Sequence, residues 1–310
     1  MRWLDKCSAQ AVTDALRVIA PELADDEISV REKFGEEDPE WWAASAMVGD
    51  RCVAKFAWSR PAALRVAHEI DVLEALTDLP SVPYVPEIVA SSTDPLLLVT
   101  RRIHGTALFD IVDTIDRNHA GRQLATFLAA LHDPTTLDRV EHSTGELAPA
   151  LMQPATTETI REGFVRWIRP DQVAAVMRWC DWTDEVLATP APQVLVHGDL
   201  HGGNQVWNAD ELQVIVDFET AGTAEPEYDL RAFPGTGPGV ELLQYTSTHY
   251  RALTGRPLSA ERIMAWHLRT TLADALWRCE SGVPLPDHRT PSAWVADLST
   301  RFTILGLTPT

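Results

Sequence analysis

Residues 195–204 read LVHGDLHGGN, and residues 214–219 read VIVDFE. Two histidines, an aspartate and an asparagine crowd a turn behind a short apolar run, and a second aspartate closes another run. Two chemistries fit this pattern. In one, His197, Asp199 and His201 ligate zinc or manganese for a hydrolytic reaction, since imidazole and carboxylate suit those ions. In the other, Asn204 and Asp217 supply the hard oxygen donors that magnesium takes beside substrate phosphates, leaving Asp199 free to accept a proton. A strand end holds a side chain accurately, which suits Asp217.

The segments around this stretch read as short strands. QVLV, QVW and LQVIV are β-like runs, with a turn at Asn208-Ala209-Asp210 between the last two. Before them lie helical stretches at 156–168 and 171–188, a turn-rich segment at 134–155, and AGRQLATFLAALHD. In that last segment Leu124, Phe127, Leu128 and Leu131 recur at helical spacing. Helices are expected again from residue 226 onward, with loops at PGTGPG (234–239) and SGVPLPDHRTP. PGTGPG has the glycines of a dinucleotide fingerprint without its βαβ context, and reads as a loop.

The first hundred residues have a different texture. Ser8 caps a helix over 8–20, and ISVREKF, WWAASAMVG and RCVAKFAWS read as three strands. PAALRVAHEIDVLEALTDL (61–79) reads as a helix with Val66, Ile70, Leu73 and Leu76 on one stripe. A Pro-rich loop leads into a strand, and PLLLVTRRI is a further buried strand ending at Gly105. The order β-β-β-α-β-β gives a small mixed lobe with a hinge near residues 100–105.

Composition narrows the class. The chain of 310 residues is long enough for one large domain or two lobes, and its 45% apolar and 23% charged residues are ordinary for a globular protein. No signal peptide and no membrane-spanning run are expected. Cys7, Cys52, Cys180 and Cys279 form no C-x-x-C pair, so reduced thiols and a cytoplasmic location are expected. A formal charge of −19 argues against a nucleic-acid partner and favours a cationic small molecule. Lysine is rare: Lys6, Lys33 and Lys55 are the only ones, and Lys55 ends a β-like run fourteen residues before Glu69.

Taken together, HGDLHGGN followed by VIVDFE resembles the aminoglycoside phosphotransferase family of small-molecule kinases, which has a protein-kinase-like fold. CVAKF resembles that family's lysine strand, HEIDVLEAL its following helix and LLLVTRRIHG its hinge strand. LAALHD resembles the helix that precedes the family's variable insert, and EPEYDL the segment after its metal-binding aspartate. These matches run in order from residue 45 to residue 232. The resemblance implies a bilobal α+β fold, with a small mixed β-sheet lobe at 1–104 and a larger, mainly helical lobe at 105–310 carrying a helical insert at 134–190.

It also implies roles. Asp199 accepts the proton of a small-molecule hydroxyl as that hydroxyl attacks the γ-phosphate of ATP or GTP. Asn204 and Asp217 hold Mg²⁺, Lys55 contacts the phosphates and is oriented by Glu69, and His197 braces the loop. The hinge backbone at Arg101 and Ile103 contacts the base. The C-terminal helices line the acceptor site, where Asp274, Trp277 and Glu280, with His201, face an amine-bearing acceptor such as an antibiotic or amino sugar. A glycine-rich turn is expected over the phosphates, yet EKFGEEDPEWW offers only Gly35, beside Glu36, Glu37 and Asp38. Two other readings compete: the His197/Asp199/His201 metal-dependent hydrolase, and a catalytically silent kinase-like binding module.

Overall fold

Ser8 starts the first helix by accepting a hydrogen bond from the Ala11 N–H, and α1 (Ala9–Ile19) buries Val12, Ala15 and Leu16. Three strands follow, β1 (Ile28–Val30), β2 (Ala44–Val48) and β3 (Cys52–Phe56), then α2 (Arg60–Thr77), β4 (Ile88–Thr93) and β5 (Leu96–Arg101). This is a computed structural model, and it describes residues 1–30, 44–77, 79, 81–150, 156–235 and 239–309. Gly35, Glu36, Glu37 and Asp38, and part of PGTGPG, lie outside the described residues.

The sheet order is β1-β2-β3-β5-β4, and every pairing in it is antiparallel. The small sheet-based lobe expected from the sequence is present; α2 carries the chain to the far edge, from which β5 returns between β4 and β3. Strand β5 stops at Arg101 rather than Gly105. Its partner β3 begins at Cys52, opposite Arg101, so pairing runs out there. Strand alternation puts Ala54 and Phe56 in the cluster beneath α1, while Lys55 lies between them in sequence and reaches α2.

The larger lobe begins with β6 (Thr106–Ala107), α3 (Leu108–Ile111) and α4 (Arg117–Leu131), followed by α5 (Pro134–Thr144), α6 (Thr157–Gly163) and α7 (Pro170–Ala188). Part of the segment expected to be turn-rich is thus the helix α5. Asp133 accepts from the Thr135 N–H and Pro134 occupies the first turn, where a missing N–H costs nothing. Then come β7 (Val194–Val196), β8 (Gln205–Asn208), β9 (Glu211–Ile215) and β10 (Gly222–Ala224), and finally α8 (Gly239–Thr254), α9 (Ala260–Ser281) and α10 (Pro291–Ile304). β7 pairs with β10, and β6, β8 and β9 form a second small sheet. The hairpin between β8 and β9 turns at Ala209, whose φ is +51°.

Among the described residues two large hydrophobic clusters support the larger lobe, beside a small one around Tyr228 and Trp266. One joins α6, α7, α9 and α10, with Trp179 and Trp182 each 5.3 Å from the Phe302 ring. The other runs from α2 and Leu98 of β5 through Leu124, Phe127 and Leu128 of α4 to Phe218 and Leu243. The core is therefore continuous from the sheet into the helices. The other face of the sheet packs on α1 through a separate cluster.

Candidate active site

The buried run Val194–Val196 delivers the chain into the loop at 197–204, and a buried carboxylate fixes how it turns. Asp229, in a short 3₁₀ turn at Pro226–Ala232, is fully buried. It accepts from the backbone N–H groups of His197 and Gly198, each at 2.9 Å, and from His132 Nε2 at 3.1 Å. Burial alone would raise its pKa, but these hydrogen bonds and the nearby imidazoles hold it below the usual carboxylate range. Gly198 has φ +82°, and a Cβ there would collide with the carbonyl oxygen of Thr220.

His197 is buried with both ring nitrogens engaged. Nε2–H donates to the Val216 carbonyl at 3.0 Å, and Nδ1 accepts the Asp199 N–H at 3.2 Å. Burial lowers its pKa and keeps the ring neutral. His201 Nδ1 accepts the Gly203 N–H at 2.9 Å, and its ring stacks on Phe109 at 5.7 Å. In each neutral ring Nδ1 already accepts a backbone N–H and Nε2 carries the proton, so no lone pair remains for a metal, and His197, Asp199 and His201 do not form a metal cage. The hydrolase reading loses its ligand set.

Asp199 emerges from this scaffold with its side chain one-third exposed. Around its carboxylate lie Asn204 Nδ2 at 3.4 Å, His201 Nε2 at 3.5 Å and the Arg231 guanidinium at 3.8 Å. Asn204 Nδ2 also donates to the Asp199 carbonyl at 2.9 Å, which leaves the amide oxygen as its remaining donor to a cation. The Val216 N–H donates to the Asn204 carbonyl at 2.9 Å, setting Asn204 beside the strand end that carries Asp217.

Asp217 has φ +74° and ψ +59°, a left-handed conformation uncommon outside glycine. Its carboxylate meets Lys55 Nζ at 2.5 Å. Lys55 also reaches Glu69 at 2.5 Å and Glu219 at 3.1 Å, while the other oxygen of Glu69 accepts the Phe218 N–H at 3.1 Å. Burial would lower the Lys55 pKa, but the three carboxylates outweigh it and hold the ammonium charged. Burial would likewise raise Asp217, yet Lys55 draws it below its ordinary value. Glu69 is more deeply buried, and its pKa is pushed up to about 7.

One oxygen from each of Glu69, Asp217 and Glu219 lies within 4.8 Å of the others. Arg65, 3.5 Å from Glu219, adds a second cation, so carboxylates still outnumber cations here. A hard divalent ion fits such an oxygen-rich, over-negative cluster. The sequence reading paired Lys55 with Glu69 and singled out Asp217, but it passed over Glu219, Asp229 and Arg231. Glu219 had a visible signal, two residues after Asp217 in the same quoted stretch. Asp229 and Arg231 act on a loop some thirty residues earlier, a relation that spacing alone does not show.

Other expected residues lie elsewhere. Arg101 clasps Glu87 through two hydrogen bonds at 2.6 and 2.8 Å, and its backbone N–H donates to the Glu87 carbonyl. That N–H is therefore not available to a base; Ile103, partly exposed, follows it in the same connection. Asp274 pairs with Arg278 at 2.9 Å and Glu280 faces Arg166 at 3.8 Å. Trp277 is half exposed, with the Arg278 guanidinium 5.7 Å from its ring. None of the three contacts the Asp199 loop or the Lys55 cluster among the described residues.

The sequence model of the phosphotransferase enzyme family (APH) matches residues 33–255. No curated protein matches by sequence. Among solved structures, the GDP complex of aminoglycoside 2'-phosphotransferase-IIIa superposes with a TM-score of 0.69 at 16% identity, over 96% of this chain and 99% of that one. Spectinomycin phosphotransferase APH(9)-Ia, in complex with ADP and spectinomycin, gives 0.63 at 14% identity, over 98% and 96%. Macrolide 2'-phosphotransferase type I gives 0.61 at 20% identity, over 97% and 98%. At these identities the likeness is one of fold.

Proposed function

The chain belongs to the phosphotransferase enzyme family, and from that premise we propose that it moves the γ-phosphoryl group of ATP or GTP to a hydroxyl of a small molecule. The observation that carries this reading is the convergence of an accessible carboxylate, Asp199, with an over-negative cluster around the partly buried Lys55. Similar folds are solved with GDP and with ADP, which supports a nucleoside triphosphate as donor.

In this reading residues 1–104 form the nucleotide lobe and residues 105–310 the acceptor lobe. Asp199 takes the hydroxyl proton on a carboxylate oxygen as the acceptor oxygen bonds to the γ-phosphorus. The bond from that phosphorus to the bridging oxygen breaks, and the nucleoside diphosphate leaves. General-base help of this kind contributes about 10²- to 10⁴-fold. Lys55 turns from its carboxylates towards the phosphates, and Glu69 keeps it aimed. Asp217, with Glu219 and the amide oxygen of Asn204, would hold Mg²⁺, which when bound neutralises triphosphate charge. His197 braces the loop as a neutral ring. Ile103 supplies the hinge backbone to the base.

The test is nucleotide consumption with Mg·ATP or Mg·GTP and a panel of hydroxylated sugars, amines and antibiotics. Asp199→Asn should lower kcat by about 10²- to 10⁴-fold while leaving nucleotide affinity unchanged. Full turnover by that variant rejects the base assignment. Nucleotide binding without turnover of any acceptor points to a binding module.

A further inference from the structure

Helix α9 packs on the 3₁₀ turn that carries Tyr228 and Arg231, and also on α6 and α7. The carboxylates of this region are already partnered. Glu225 is held by Arg262 at 2.6 Å and by the Trp266 indole N–H. Asp184 takes Arg161 and the Thr157 hydroxyl, both at 2.6 Å. Asp274 and Glu280 face Arg278 and Arg166.

Arg269 is different. It has no hydrogen bond or ion pair among the described residues, and its Nε is buried without a partner. The remainder of the residue keeps intermediate exposure. Its guanidinium lies 5.5 Å from the centroid of the Trp266 ring, and Asp184 acts on it only through longer-range charge. A cation–π contact at that range is near its outer limit of about 6 Å and does not replace the hydrogen bonds that a guanidinium gives up on burial. Burial, the largest influence on Arg269, lowers its pKa.

A row of contacts connects this guanidinium to Asp199. Trp266 meets Tyr228 edge-on at 5.1 Å, Arg231 lies 4.0 Å over the Tyr228 ring, and Arg231 is 3.8 Å from Asp199. We propose that Arg269 binds an anionic substituent of the acceptor, a carboxylate, sulfate or phosphate, while a hydroxyl of the same molecule lies at Asp199. The inference rests on the phosphotransfer reading and specifies its substrate class. The net charge of −19 predicts a cationic acceptor, but that field acts at long range and is screened within about 8 Å at physiological salt. Selection at contact depends on local groups, and here the unpartnered group is a cation.

Matched acceptors test this directly: glucose, glucosamine and glucuronate, and glycerol, serinol and glycerate, each assayed with Mg·ATP. The acid forms should give kcat/KM about 10- to 100-fold above their neutral and amine partners, the range of a charge-assisted hydrogen bond. Arg269→Gln should remove that preference without changing the KM for nucleotide, and Arg269→Lys should restore part of it. A preference for amine or neutral forms, or an acid preference that survives Arg269→Gln, overturns the inference and leaves phosphotransfer intact. Failure of phosphotransfer itself shows separately, as absence of Mg·nucleotide binding or as binding with no turnover of any acceptor in the wider panel.

If no member of the panel turns over, binding decides. With Mg·ADP present, sulfate replaces chloride at constant ionic strength, and melting is compared between the wild-type protein and Arg269→Gln. A larger sulfate response in the wild type supports the inference; an equal response overturns it.

Discussion

The loop at 197–204 and the cluster around Lys55 lie side by side and are held by opposite means. At the base of the loop the buried groups that fix its backbone have partners within the protein: Asp229 takes two backbone N–H groups and His132, and His197 uses both nitrogens. The Lys55 cluster instead gathers Glu69, Asp217 and Glu219 about one ammonium and stays over-negative. The first region is complete as folded, and its fixed backbone presents Asp199. The second carries one carboxylate more than its cations, an excess that a proton on Glu69 or an added cation offsets. In the proposed reaction, the group that would accept the proton is thus held without ligand, whereas the groups that would position phosphate are held by one another and would respond to a ligand.

If that contrast is right, the largest effect should come from Asp229→Ala. Removing a buried carboxylate that satisfies three donors should cost about 3–5 kcal/mol of stability, read by urea denaturation, and added Mg·nucleotide should restore little of it. A loss under 1 kcal/mol would mean the loop is held by something else.

Lys55→Met acts on the other region. It should weaken nucleotide binding by about 10- to 100-fold, the worth of a charge-assisted hydrogen bond, in equilibrium titration. The stability of this variant should depend more steeply on Mg²⁺ than that of the wild type, because its carboxylates have lost their ammonium. A flat Mg²⁺ response would remove the cluster from consideration as a cation site.

The smallest effect is one of pH. Glu69 has a folded pKa of about 7 against an ordinary 4.5, so the folded protein binds the extra proton between those values. Its contribution is full below about pH 4.5 and declines as pH rises through 7. His197 and His267, both with pKa values lowered by burial, act in the opposite sense over part of that range. The diagnostic is therefore the difference between the wild-type protein and Glu69→Gln in thermal melting. The wild type should lose ground to the variant as pH rises from 4.5 to 7, and Mg·ADP should flatten the trend. A pH-independent difference would place the excess proton elsewhere.

Much of this arrangement was legible in the sequence because its parts are local. HGDLHGGN and VIVDFE carry Asp199, Asn204 and Asp217 within one strand–loop–hairpin unit, and Lys55 ends a β-run one helix before Glu69. What escaped depends on contacts distant along the chain. Asp229 lies in a stretch that the sequence marks only by likeness, and its grip on His197 follows from chain packing. The residues expected at the acceptor are engaged with arginines instead. Asp274 is held by Arg278 one turn on along the same helix, a pairing the spacing could have shown, whereas Glu280 faces Arg166, more than a hundred residues earlier. Helix α5 is a different case: Asp133 and Pro134 were a readable start signal, outweighed by the polar residues after them.

The hydrophobic core running from α2 and β5 into α4 and α8 sets how the chain can be handled. A fragment cut after the fifth strand would keep its α1 face covered but would bare the side of α2 that carries Val66, Leu73 and Leu76. Such a piece would be sticky in solution rather than a smaller soluble unit. Splitting the protein for expression, or grafting its sheet onto another helical half, calls for a matching apolar surface on the new partner.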